Sequence, residues 1–435
     1  MRAVIIINQD PLYRKVLENY SLSKSKVFKI FSDSNPPEEL PENIANFFVE
    51  VKKLYNNKNL DSRREYMVCF SISRYFFRSF SFRKRIQIIL FGKYKVKNLE
   101  TLIMNLRFIT RKKNLFLFFA FVLGLFHFPK SIFYKIVFWR LNDHKNLIEK
   151  LWNLEGATLL FTTNGLDNFY FIVSSLQKPK NIKYFAIAYS WDNISSKFIL
   201  SQNINHLALW NFRQQREIVE IYKSNVISSS VLGSKMADRS YSFYASQKPY
   251  KSNAAISKKL IFLGMYNKGD EFLDLIRLGE AIQKNNMYWY SSIDYRPHPL
   301  SKGNLKNIDT IKLRGLGIKM NLAETIDLRN YGGVICLPTS IIFEVLVAQS
   351  KAVIYAPRYS KYRVDPRAVV KYKHFECFRE FKPIPIVESF ENLINMLKEP
   401  LPSQKILSAQ ELNSIFPKFD STYMERISDQ IIANI

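Results

Sequence analysis

Glycine is scarce in this chain, 13 of 435 residues. That scarcity argues against phosphate loops built on glycine, and neither a G-x-x-x-x-G-K-[ST] loop nor a G-x-G-x-x-G fingerprint is present. Cysteine is scarcer, with only Cys69, Cys336 and Cys377. Their spacing fits no metal site and three cannot all pair, so free, mostly buried thiols in a reducing compartment are expected. The five histidines form no H-E-x-x-H zinc motif, and no nucleophile elbow is found. No metal and no resident cofactor is expected. Apolar runs stay short of the roughly 20 residues that a spanning helix needs. The first stretch, "MRAVIIINQDPLYRK", is no secretory signal: Asp10 and Pro11 cut its apolar run short, and it reads as a buried strand.

What the chain does have is basic charge, +27 at pH 7. Such an excess calls for an anionic partner: a nucleic acid, an anionic membrane surface or a phosphorylated ligand. The charge is unevenly placed. Between Arg74 and Arg140 stand 15 Lys/Arg against one acid, Glu100. This segment interleaves cations with aromatics in "RYFFRSFSFRKRIQIILFGKYKVK" (74–97). It then runs into "NLFLFFAFVLGLFHF" (114–128), flanked by Arg111, Lys112, Lys113 and Lys130. Three readings stay open: a segment that inserts into the headgroup region of an anionic membrane, a buried helix with a solvated basic face, and a true membrane span. The uniform apolarity of 114–128 disfavours nucleic acid as the partner.

At 435 residues the chain is too long for one comfortable core, and two domains are expected, 1–250 and 251–435. Short apolar runs alternate with helix-like segments, the pattern of an α/β fold with parallel sheets. Strands are expected at 3–8, 27–32, 157–164, 183–191, 206–211 and 226–233 in the first half. In the second they are expected at 258–265, within 286–299, and at 331–338 and 351–357. Helices are expected at 213–223, 269–284 and 339–349, with three more at 389–398, 405–415 and 420–434. The Ser-, Tyr-, Lys- and Asn-rich stretch 233–257 reads as an interdomain linker.

Candidate chemistry sits where strands end. In "YRPHP" (295–299), Arg296 offers a planar fork suited to phosphate, and His298 a hydrogen bond or a proton. The prolines bar a helix there and open a loop at the strand's C-terminal end, where open α/β sheets bind ligands. In "LPTSIIFEVLVAQ" (337–349), Thr339 and Ser340 stand where a strand hands over to a helix, placed to cap it and to face an anion. Glu344 lies one turn deeper, suited to sugar hydroxyls. In the first half, "FTTNGLDNF" (161–169) brings Asp167 to a strand end, and "SWDNISSK" (190–197) brings Trp191, Asp192, Asn193 and Lys197. Either aspartate is a candidate base for an acceptor hydroxyl, and either is equally a helix cap. His127, His144, His206 and His374 read as structural.

"SWDNISSK" resembles the S-W-D-N-[LI]-[ST]-[ST]-K stretch of bacterial surface-polysaccharide glycosyltransferase-like proteins. "RPHP" and "TSIIFE" are similar to the His-Pro and Ser/Thr motifs of GT-B sialyltransferases, Kdo transferases and CDP-glycerol glycerophosphotransferases. The resemblance implies two Rossmann-like domains facing across a cleft, with C-terminal helices returning toward the N-terminal domain. It implies that His298, Thr339 and Ser340 bind the donor's phosphate with Arg296 beside them, that Glu344 lies near the nucleotide, and that an N-terminal acid is the base. It further implies a metal-independent transfer from a nucleotide-sugar to a cell-surface or lipid-linked glycan, at the inner face of the cell membrane in the cytoplasm. Transfer of a polyol phosphate from a CDP donor is the alternative on the same fold. A non-catalytic basic scaffold is the alternative of another class.

Overall fold

The computed structural model describes residues 3–8, 26–31, 40–56, 115–126, 128–129, 132–133, 136, 143–154, 156–163, 169, 181–188, 191, 204–222, 228–246, 257–265, 270–284, 289–298, 310–323, 325–359, 365–371 and 373–434. Asp167, Asp192, Asn193, Lys197 and the basic stretch 74–114 lie outside them. The chain divides into two compact units: Met1–Gly233 with Phe419–Ile435, and Ser234–Lys418.

The first unit is built on strands β1 (Ala3–Asn8), β2 (Lys26–Phe31), β3 (Thr158–Thr162), β4 (Lys183–Ile187), β5 (His206–Leu209) and β6 (Ser228–Val231). They form one sheet in the order β2-β1-β3-β4-β5-β6, and every pair is parallel. Parallel strands are covered on both faces, and every residue of β3 and of β5 is buried. Helices α1 (Glu42–Asn56), α2 (Leu115–Leu125), α3 (Asp143–Trp152) and α4 (Phe212–Tyr222) belong to this unit. On one face Phe161 meets Phe169 and Tyr184 edge to face, and Phe169 meets Phe47 of α1.

The other face is closed from the far end of the sequence. Tyr423, Ile427 and Ile431, the apolar stripe of the last helix, pack against Val4, Ile6, Leu160, Phe185, Ile187 and Ala208. Of the C-terminal helices expected to return, the last one does so. Arg426 fastens the helix by donating to the Leu232 carbonyl (2.7 Å) and stacking over Phe419, 4.2 Å from its centroid. Gly233, the last residue before the second unit, has φ +72°, and a Cβ there would lie 2.9 Å from the Phe419 ring. Gly233→Ala is therefore expected to cost about 1–2 kcal/mol through left-handed strain and contact with the ring. Urea unfolding checks this: a midpoint equal to that of the parent would refute it.

Helix α2 carries the core of the run 114–128. Ala120 and Leu125 are fully buried, whereas Phe119 and Phe126 are exposed by 52% and 37%. Among the described residues no helix is long and apolar enough to cross a membrane.

The second unit holds strands β7 (Lys259–Leu263), β8 (Ser292–Arg296), β9 (Ile318–Met320), β10 (Gly333–Cys336), β11 (Ala352–Tyr355) and β12 (Ile386–Val387). They form a second parallel sheet in the order β12-β11-β10-β7-β8-β9. The α/β class with two parallel sheets is thus as the sequence pattern predicts. Its helices are α5 (Lys235–Ser246), α6 (Asp270–Gln283), α7 (Thr310–Gly315), α8 (Ile342–Ala348), α9 (Pro366–Val369), α10 (Glu376–Phe381), α11 (Phe390–Leu397) and α12 (Ala409–Ile415). The returning helix of the first unit is α13 (Tyr423–Asn434). Leu275 and Leu278 of α6 and Leu393 and Leu397 of α11 pack on Phe262, Ile293, Tyr295, Ile335 and Val353. Cys336 and Cys377 are free and buried, and burial pushes the Cys336 thiol up to about 12.

Helix α5 corrects the linker reading over 235–246; the part of that stretch from 247 to 256 lies outside the described residues. Ser234 Oγ accepts from the Ala237 N–H (3.1 Å) and starts the helix. Its buried stripe is Ala237, Ser240 and Tyr244, at the 3–4 residue spacing of one helix face. Two polar side chains in that stripe hid it from a hydropathy reading.

Candidate functional site

In the second sheet the chain runs outward from β7 through β8 to β9, then restarts on the other side of β7 with β10, β11 and β12. The order reverses between β7 and β10, and loops that leave the C-terminal ends of such a pair open a crevice. The motif "YRPHP" ends β8, the neighbour of β7 on one side; "LPTS" follows β10, the neighbour on the other. With strands about 4.8 Å apart, the two ends are separated by roughly 10 Å.

Strand alternation sorts the motif's side chains. Tyr295 points into the core: it is fully buried, meets the Phe272 ring edge to face, and its hydroxyl donates to the Glu271 carboxylate. Glu271, also fully buried in the first turn of α6, takes the Met265 N–H as well (3.0 Å). Gly264 leaves room for this, since a Cβ there would lie 3.0 Å from both Glu271 Oε1 and the Tyr295 hydroxyl. Arg296 emerges on the opposite face from Tyr295, and the strand end is pinned by the Gly264 N–H donating to the Arg296 carbonyl (2.9 Å). Pro297 is buried and His298 half-buried. Burial lowers the His298 pKa below its ordinary value, disfavouring the charged imidazole.

After β10, the Ile342 and Phe343 N–H groups donate to the Thr339 and Ser340 carbonyls, both at 3.2 Å. Helix α8 thus starts from a tight turn whose capping residue is Ile341, with no side-chain cap. This corrects the expectation that Thr339 and Ser340 cap the helix: their backbones take the first N–H groups, and both side chains are half-buried. Glu344 stands in the first turn of α8, half-buried. Burial raises its carboxyl above the usual range, against the opposing pull of the Arg296 and Arg239 guanidiniums.

Sequence reasoning missed Arg239, because it lies on α5, the helix read as linker. It also missed the supports around the site. Burial chiefly, with the Glu344 and Asp327 carboxylates adding to it, raises the Tyr244 phenol above its usual value. Arg329 stacks over that ring at 5.1 Å and forms a two-point pair with Asp327 (3.0 and 2.8 Å). Below, Asp294 accepts from Tyr331 (2.7 Å) and pairs with Lys259 (2.8 Å).

In the first unit, Trp191 follows β4 with its ring buried, and its carbonyl accepts from Gln214 Nε2 (3.1 Å). Gln214 Oε1 in turn takes the Trp210 N–H (2.7 Å). The rest of "SWDNISSK", and Asp167, lie outside the described residues. His206 is buried between two hydroxyls, Ser228 (3.0 Å) and Ser230 (2.8 Å). Among the described residues no cluster of His, Cys, Asp or Glu is placed to hold a metal ion.

No protein-family model matches the chain, and no curated protein matches it. Solved structures align with it at low identity. UDP-GlcNAc 2-epimerase of Methanocaldococcus jannaschii is 13% identical over 100% of both chains, with a TM-score of 0.48. Trehalose 6-phosphate synthase of Burkholderia multivorans is 9% identical over 100% of this chain and 93% of its own, at 0.42. The wall teichoic acid polymerase TagF is 12% identical over 81% of this chain and 96% of its own, at 0.34. At these identities and TM-scores no substrate or activity carries over to this chain.

Proposed function

We propose that this protein is a glycosyltransferase of the two-Rossmann-domain kind, moving a sugar from a nucleotide-sugar to a cell-surface or lipid-linked glycan without a metal. The reading is supported by the topology: Arg296 and His298 at the end of β8 and Glu344 in the helix after β10 belong to the two strands that flank β7, where the second sheet reverses its order. In the proposal Arg296 offers a two-pronged grip on phosphate, and His298 donates a hydrogen bond to it. The Thr339 and Ser340 hydroxyls add donors as negative charge develops on the leaving group. Asp192 or Asp167 of the first unit takes the proton of the acceptor hydroxyl. The basic aromatic segment 74–140, whose described part exposes Phe119 and Phe126, holds the enzyme to the anionic inner face of the membrane.

A binding screen of CMP, CDP, UDP, GDP and their sugars tests this. At least one nucleotide is expected to bind the wild type, and His298→Ala to weaken it about tenfold or more, the worth of one charge-assisted hydrogen bond. Absence of binding by every nucleotide, or binding indifferent to His298, would sink the reading.

A further inference from the structure

At the N-terminal edge of the first unit's sheet, opposite to the edge where Trp191 follows β4, lies a cavity of about 240 Å³. It opens between the first residues of β3, β4 and β5 and Ile431 of α13. Part of its wall is apolar. Phe185 and Ile431 belong to the packing of α13 on the sheet. His206 stacks on Phe185 with ring centroids 4.9 Å apart, and its two ring nitrogens are engaged by Ser228 and Ser230 of β6, so it turns a ring to the cavity. The rest of the wall donates hydrogen bonds. Lys183, exposed on the same face of β4 as Phe185, brings an ammonium, and Thr158, on the same face of β3 as Leu160, brings a hydroxyl. Asn205 Oδ1 accepts from the Tyr184 N–H (2.8 Å), and the other half of that amide is a donor. No carboxylate lines the cavity among the described residues.

We propose that this cavity is a binding site for a small carboxylate with an apolar body, in addition to the nucleotide site of the second unit. The carboxylate meets the Lys183 ammonium and the Thr158 hydroxyl, and the body lies against Phe185, Ile431 and the His206 ring. A wall that donates and holds no acid suits an anion. With one lining cation, a single negative charge is matched, whereas the second charge of a phosphate monoester finds no partner there. Burial lowers the His206 pKa, which disfavours a second positive charge in the wall. Pockets for drug-sized ligands run to roughly 300–1,000 Å³, so this one suits a metabolite-sized ligand. Ile431 sits in the last turn of α13 and the other lining residues on or beside the sheet. A bound ligand therefore touches both layers, and because the unfolded chain has no such cavity, binding stabilises the fold.

Saturation-transfer NMR on the full chain tests this with benzoate and isovalerate as probes. Acetate, which lacks the body, and benzamide, which lacks the charge, are the comparisons. Both probes are expected to bind with a Kd of about 1 mM or tighter, and acetate and benzamide about tenfold more weakly or worse. Lys183→Gln, a change at an exposed side chain, is expected to weaken benzoate about tenfold, the worth of one charge-assisted hydrogen bond. Benzoate is also expected to raise the urea midpoint of the wild type by more than that of Lys183→Gln. No binding of either probe at about 10 mM, benzoate binding no tighter than benzamide, or binding unmoved by Lys183→Gln overturns the inference. The wild-type probe series decides the matter even if the variant proves unstable. None of these results bears on the nucleotide reading, which has its own screen.

Discussion

Gly332→Ala is expected to destabilise the second unit by about 3 kcal/mol or more, the upper end for a small-to-large change. A Cβ on Gly332 would lie 1.8 Å from the Ser257 carbonyl oxygen, a backbone atom that no side-chain rotation can move. Relief requires the chain entering β10 to part from the chain entering β7. That breaks the bond from the Gly332 N–H to the Lys259 carbonyl (2.9 Å), at the central pair of the sheet. The neighbouring glycine supplies the control. A Cβ on Gly333 would meet Leu260, Leu401 and the Tyr290 hydroxyl at 2.8–3.0 Å. Those are side chains that can shift, so Gly333→Ala is expected to cost only about 1–2 kcal/mol. Urea unfolding of both variants measures the difference, and an equal or reversed order would show that the cause is not the backbone contact.

Tyr295→Phe is expected to cost about 2–3 kcal/mol for the loss of a single oxygen. The hydroxyl donates to Glu271 where both residues are fully buried. Burial and the neighbouring carboxylate raise the phenol above its ordinary value, favouring its protonated, donating form. Without it a buried carboxylate loses a charge-assisted bond and is left with the Met265 N–H among its partners. The denaturant midpoint is expected to fall with no change in slope. In the double variant with Glu271→Gln, which removes the buried charge, the losses are expected to fall short of additive by about 1–2 kcal/mol. Simple additivity would mean that the two side chains do not act on one another.

The same motif shows what the sequence made legible. "YRPHP" was readable as a strand end because proline marks where a strand stops. Arg296 and His298 were therefore placed at the C-terminal end of β8. The role of Tyr295 was not readable: its partner Glu271 looks, in sequence, like any acid in a first helical turn. Arg239 was hidden for a different reason. Its helix buries serine and tyrosine, so hydropathy took it for a linker. The strands β9 and β12, three and two residues long, are too short to leave a periodic signal. At Thr339 and Ser340 the residue types suggested a cap, but the turn there bonds through its carbonyls and the helix begins one residue later. Such choices between hydroxyl and carbonyl depend on local dihedral angles and are not written in residue type.

The packing of α13 bears on how the protein is made. A ribosome releases the strands of the first unit early, yet the helix that covers one face of its sheet is translated about 200 residues later, at roughly 10–40 s for ordinary elongation rates. Through that interval Val4, Ile6, Leu160 and Phe185 have no Ile427 or Ile431 to cover them, while the second unit, whose residues are contiguous, is free to fold. The order of completion is then the reverse of the order of synthesis. The nascent first half is the part of the chain that most needs a chaperone.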